Sequence, residues 1–319
     1  MPKLIIHAGA HKTGTTAIQH HLWRRQDALL EAGVLYPRTG IPGSGGTFFG
    51  HHEIPWAYLG GGGTAIADLL REEIERSGAH TVVVSSEEFD RLTPVAISDL
   101  CSALPFAITV LFYYRRQSDI IEGMYRTDVV HGRERRTLEH FVASYSGALD
   151  FGAFATAWSS APNVKSVLPR AYFPKHFPDG NVVFDFLAAL SLPTSTERDE
   201  EDNFRYNQSL PWHAVSVIQK LREMLVSEQV IGRAIEAITV VSRRTPPERG
   251  ALMSPAQAQA IDGQYLERNA AFHASFCPAQ PAITPRAEDD LFHIQHQGLW
   301  PDVERTIEWL AEYVIRTKR

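Results

Sequence analysis

A parallel α/β fold is what the sequence predicts, and three observations carry that prediction. The runs LIIH, TVVVSS and AITVLFYY are rich in β-branched and aromatic residues and have strand length. Segments with helical spacing of apolar residues separate them. Each run also ends in small or polar residues, as buried parallel strands do where ligands bind at their carboxyl ends.

In chain order, Leu4, Ile5 and Ile6 form the first strand, and the small-residue stretch AGAHKTGT leads into a helix expected over residues 15–32. Gly9 and Gly14 permit the tight turns this loop needs. GVLYP then opens the most glycine-rich part of the chain, with nine of the 22 glycines between Gly40 and Gly63. This part reads as a mobile loop interrupted by a short aromatic helix, an element able to close over a substrate. A helix over 65–77, the strand TVVVSS, a helix near 95–103, the strand AITVLFYY and a helix over 118–130 follow. In the second half, Val217, Leu221, Met224 and Leu225 mark one helical stripe, and Val303, Ile307, Leu310 and Val314 mark another. The acidic stretch 191–207 reads as the connection. One domain over residues 1–319 is expected, with an α/β core at 1–190 and a mainly helical extension at 191–319.

Composition narrows the function classes. With 319 residues, 44% of them hydrophobic, the chain can bury a large core. No apolar run is long enough to span a membrane, and the first strand begins without a signal-peptide core, so a cytoplasmic protein is expected. Two cysteines, Cys101 and Cys277, give no disulfide framework. A net charge of −6 argues against nucleic acid as the main partner.

The loop between the first strand and its helix has the makings of an anion site. Exposed N–H groups and a positive dipole lie at the helix start, and Thr13, Thr15 and Thr16 add hydroxyls. Lys12 stands among them, although only six of the 31 basic residues are lysine. The nucleotide-triphosphatase pattern fails, because His11 and Ile6 occupy the places where that loop needs glycine. Neither later strand ends directly in an acidic residue that would hold magnesium.

HAGAHKTGTTAIQ resembles the phosphosulfate loop of the sulfotransferases that use 3′-phosphoadenosine 5′-phosphosulfate (PAPS). YYRRQSD, with Arg115 followed four residues later by Asp119, resembles their 3′-phosphate motif. AYFPKHFPDGNVVFDFLAALSL is similar to the family's later segment, and RYNQSL to an element of bacterial members. The resemblance covers residues 3 to about 210. It implies a P-loop-type fold, PAPS as co-substrate, and contacts to it from Gly9, His11, Lys12, Thr13, Gly14, Thr15, Thr16, Arg115, Asp119 and Gly123. Gly123 stands where the family usually has a serine; Ser118, Tyr125 and Arg126 lie near enough in sequence to substitute.

Sulfuryl transfer needs a cation for the charge growing on the departing oxygen and a base for the acceptor proton. Lys12 is the expected cation. Glu87, directly after TVVVSS, matches where many members of that family place the catalytic residue. His51 and His52, in the glycine-rich segment, are the other candidates for the base. No metal site is expected, since His20/His21 and His293/His296 lack companion ligands. The expected activity is sulfuryl transfer from PAPS to a hydroxyl or amine of a small-molecule or glycan acceptor. Its rivals are a P-loop kinase or other nucleotide-dependent phosphotransferase, and a non-catalytic PAPS-binding protein.

Overall fold

The computed structural model of the chain describes residues 2–43, 48–145, 149–193, 210, 212–223, 227–242 and 251–286. Its centre is a five-stranded sheet built from β1 (Lys3–His7), β2 (Val34–Leu35), β3 (Thr81–Ser85), β4 (Ala107–Tyr114) and β5 (Val164–Ala171), in the order β2-β3-β1-β4-β5. Every pairing is parallel. Leu4, Ile5 and Ile6 and the valines 82 to 84 are all but fully buried, as a sheet covered by helices on its faces requires. Each such side chain withdrawn from water contributes about 1.5–3 kcal/mol before the entropy of ordering is counted.

Register decides where a site can form. His7 is level with Ser85 of β3 and Leu111 of β4, so β1 and β3 end together while β4 runs on to Tyr114. The chain leaving β1 continues along that overhang: Ala8 N–H donates to the Leu111 carbonyl, Tyr113 N–H to Gly9 and Ala10 N–H to Tyr113.

Helices α1 (Thr15–Arg24) and α2 (Gln26–Glu31) replace the single helix expected over 15–32. The break falls at Arg25, whose φ is −110°, and the Gln26 side chain at the start of α2 is tied to the Tyr36 carbonyl. Next come α3 (Glu53–Gly60), α4 (Gly63–Ser77), and α5 (Pro94–Ala103), which Thr93 caps ahead of a proline in the first turn. The helices α6 (Gln117–Val130), α7 (Leu138–Ser144), α8 (Phe151–Ser159) and α9 (Val182–Leu190) are followed by α10 (Trp212–Glu223), α11 (Glu228–Ser242), α12 (Pro255–Gly263) and α13 (Leu266–Phe276).

The division into units differs from the expected boundary at 190. One unit comprises Met1–Arg115, Gly147–Asn207 and Tyr265–Ile283; the other begins at Arg116 and takes 208–264 and the stretch from Thr284. Within the first unit, Phe272 of α13 packs against Phe112, Tyr114 and Phe151. That contact is why α13 belongs with the sheet. Within the second, Asp262 of α12 accepts from the backbone N–H and hydroxyl of Ser118, and Arg286 pairs with Asp119 and Glu122.

The stripe read over residues 217–225 is displaced: α10 buries Ala214, Val215, Ile218 and Arg222, while Met224 and Leu225 lie outside the described residues. The C-terminal stripe from Val303 and most of the acidic stretch 191–207 also lie outside them. No helix among the described residues is long and apolar enough to cross a membrane.

Candidate active site

All the groups brought together at the carboxyl edge of β1 and β3 belong to the first unit. The lysine loop bends through three residues of positive φ: Gly9 at 86°, Lys12 at 63° and Gly14 at 79°. For lysine that conformation costs about 1–2 kcal/mol, and Arg115 helps to hold it by donating from Nη1 to the Lys12 carbonyl at 2.8 Å. Arg115 also lies over the Tyr172 ring, 5.3 Å from its centroid. Gly14 is fixed by space as well as by φ, since a Cβ there would sit 2.8 Å from Val182 Cγ1. The first helical motif and the end of β4, distant in sequence, therefore meet.

Helix α1 starts at Gly14 with no side-chain cap on its first turn. The helix dipole there favours an anion. Of the three threonines, Thr13 departs from expectation. Its hydroxyl donates to the Ala10 carbonyl at 2.6 Å, so it braces the loop from inside.

Glu87 opens a 3₁₀ turn, Glu87–Arg91, directly after β3. The cap of that turn is Ser86, whose Oγ accepts from Glu88 N–H, so Glu87 is left for other work. Its backbone is pressed against the lysine loop: a Cβ on Gly9 would lie 3.2 Å from Glu87 Cα. Gln19 of α1 donates from Nε2 to Glu87 Oε2 at 2.8 Å. Burial acts to raise the Glu87 carboxyl, but His52, His11 and the Gln19 hydrogen bond outweigh it and hold it below its ordinary value. The side chain is therefore ionised at neutral pH.

His11 lies 3.5 Å from Asp90 Oδ1 and 4.0 Å from Glu88 Oε1. Burial pushes the Asp90 carboxyl up to about 6, with His11 opposing and Glu88 and Glu87 adding to the rise.

The two adjacent histidines part company. His51 is fully buried, with Nε2 donating to the Pro37 carbonyl at 2.9 Å and Nδ1 accepting from Ser85 N–H at 3.0 Å. Both nitrogens are engaged, and burial lowers its pKa to about 4. His52 is 7% exposed, hydrogen-bonds Ser86 Oγ through Nδ1 at 2.8 Å and stacks on Trp56. These contacts tie the histidine pair to the end of β3, and the short aromatic helix expected in this segment is α3. Residues 44–47 lie outside the described residues. Around His52 the rings of Phe48 and Trp56 are 42% and 41% exposed, and Trp56 Nε1 donates to Glu88 Oε2 at 3.1 Å.

Asp119 and Gly123 belong to the second unit. There Asp119 is engaged by Arg286, and the Gly123 carbonyl accepts from Thr127 Oγ1 at 3.0 Å. The three groups considered as stand-ins for a serine at 123 all have partners within that unit. Ser118 donates to Asp262, Tyr125 to the Arg136 carbonyl, and Arg126 to Glu122.

Sequence reasoning missed Gln19, Ser86 and Asp90. Gln19 had a legible signal: it lies four residues after Thr15, on the same face of α1 as the loop. Asp90 had none, because its approach to His11 is made by folding. Among the described residues no group of three or more His, Cys, Asp or Glu side chains is placed to hold a metal ion.

No family model matches the sequence, and no solved structure matches it. The chain is similar to an uncharacterized protein of Archaeoglobus fulgidus, with 28% identity over 165 residues. That match takes in 51% of this chain and 44% of the archaeal protein, so the chain spans less than half the length of that relative.

Proposed function

We propose that the protein is a sulfotransferase of P-loop type that moves a sulfuryl group from PAPS to a hydroxyl or amine of an acceptor. The observation that carries this reading is an ionised carboxylate, Glu87, packed against a lysine-bearing anion loop and hydrogen-bonded by the helix that the loop begins. The uncapped start of α1 suits a phosphosulfate, and Arg115, ordered against the loop, suits a second phosphate. In the transfer, the sulfur–oxygen bond to the phosphate breaks as one to the acceptor forms. The electron pair goes to the departing oxygen, where Lys12 neutralises the growing charge, and the acceptor proton passes to Glu87. Phe48 and Trp56 offer exposed ring faces for a sugar or aromatic acceptor.

The same uncapped helix start would also take a nucleotide phosphate, so phosphoryl transfer from a nucleotide is the second reading. Incubation with sulfur-labelled PAPS or phosphorus-labelled ATP, with glycan, phenol and amine acceptors and with or without EDTA, separates the two. Sulfate transfer that survives EDTA supports the first reading; phosphate transfer abolished by EDTA replaces it.

Glu87→Gln is expected to lower turnover roughly a hundredfold or more with the KM for PAPS unchanged. His52→Ala should cost less, because it acts through the ionisation of Glu87, where each pKa unit is about tenfold. Initial rates of both variants check this, and the reverse ranking makes His52 the base.

A further inference from the structure

We infer that Gln19 is a positioning residue for Glu87 and that Gly50 is a glycine because the Gln19 amide occupies the space beside it. The inference rests on the assignment of Glu87 as the base only for its functional meaning; its geometry stands alone.

Gln19 is 2% exposed and projects from the second turn of α1. Its amide nitrogen meets Glu87 Oε2 at 2.8 Å. One helix thus presents its start to the anion loop and its next turn to the carboxylate, which fixes the distance between the two halves of the chemistry.

Gly50 is buried, and a Cβ built on it would fall 2.7 Å from Gln19 Cδ, 2.7 Å from Nε2 and 2.8 Å from Oε1. Carbon–carbon contacts are most favourable at about 3.5–4.0 Å, so a methyl group there must displace the amide. No positive φ accompanies this glycine, and backbone strain gives no separate reason for it. The three nearest atoms are all at the end of one flexible side chain, which can swing aside and leave Glu87 without its donor.

The other groups that act on Glu87 come from four directions. His11 lies on the lysine loop, His52 before α3, His7 at the end of β1, and Tyr36 after β2. Glu88 and Asp90 share its own turn. Gln19→Leu substitutes none of these groups, so it is the variant that reads the Gln19 bond against an unchanged set of charges.

The test is a carbon-13 NMR titration of the Glu87 carboxyl in the full chain, with Glu87→Gln to assign the resonance. Gln19→Leu and Gly50→Ala are each expected to raise the Glu87 pKa, because the hydrogen bond they remove is one of the causes that hold it down. The double variant should rise no further than either single one, because both remove the same contact. Gly50→Ala serves where Gln19→Leu fails to fold, and thermal unfolding reports which variants are native. If native Gly50→Ala and native Gln19→Leu titrate like wild type, the inference is overturned. If the titrations shift while wild type transfers no sulfate, the clamp stands and the sulfotransferase reading falls. If both hold, the acidic limb of the pH profile of kcat should move by the same amount as the titration.

Discussion

Between pH 6.5 and about 4 the protein is expected to lose about 3–4 kcal/mol of folding stability, and about twice that once Asp90 is replaced by asparagine. His7 and His51 are each fully buried, and burial lowers both from the ordinary 6.5 to about 4. The unfolded chain takes up protons at these positions below pH 6.5, whereas the folded protein does not until about pH 4. Stability from the two neutral rings is therefore complete above 6.5 and lost as pH falls, at about 3 kcal/mol for each ring.

Asp90 works the other way. Its carboxyl is raised from 3.8 to about 6, so the folded state binds its proton first and gains stability as pH falls across that window. The gain is about 3 kcal/mol, which offsets one of the two histidines. Glu87, held below its ordinary value, contributes stability that is lost only at still lower pH. Urea-unfolding free energies at pH 7.5, 6.5, 5.5 and 4.5 give the slope directly. It should steepen in Asp90→Asn and flatten in His7→Asn, whatever the stability of either variant at pH 7.5. A wild-type slope near zero, unaltered in Asp90→Asn, would show that the buried rings are protonated in the fold. Because total stability of natural domains is about 5–15 kcal/mol, the predicted loss is a large fraction of it.

Lys12→Ala is expected to reduce turnover by about 10²–10³, equivalent to about 2.7–4 kcal/mol, the loss seen when one preorganised electrostatic donor is removed from a developing charge. The effect should fall on kcat more than on the KM for PAPS, since the charge that lysine meets exists fully only in the transition state. The fold should survive. Alanine at 12 still has to adopt a φ of 63°, a strain of about 1–2 kcal/mol that lysine already bears, and the Arg115 bond is made to the backbone carbonyl, which the substitution retains. Steady-state rates with sulfur-labelled PAPS, beside thermal melts of both proteins, check this. Wild-type turnover in Lys12→Ala would remove the lysine from the mechanism and the loop from the proposed function.

The sequence by itself determined the three central strands, the all-parallel class of the sheet and the loop that follows β1. Those features depend on local patterns: β-branched runs for the strands, and glycines with a lysine for the loop. It did not reveal β5, because VKSVLPRA alternates weakly and contains Pro169, a residue tolerated on the edge strand that β5 is. The break at Arg25 was hidden because helical spacing continues through it. Glu87 could be read from its place after a strand, but its ionised state comes from His11, His52 and Gln19, contributed by a loop and two segments far away in sequence. The difference between His51 and His52, adjacent in sequence, rests on which carbonyl, hydroxyl and N–H groups surround each ring. Only tertiary structure decides such things, since desolvation and hydrogen-bond partners are set by residues brought together from far along the chain, and a linear pattern records only neighbours.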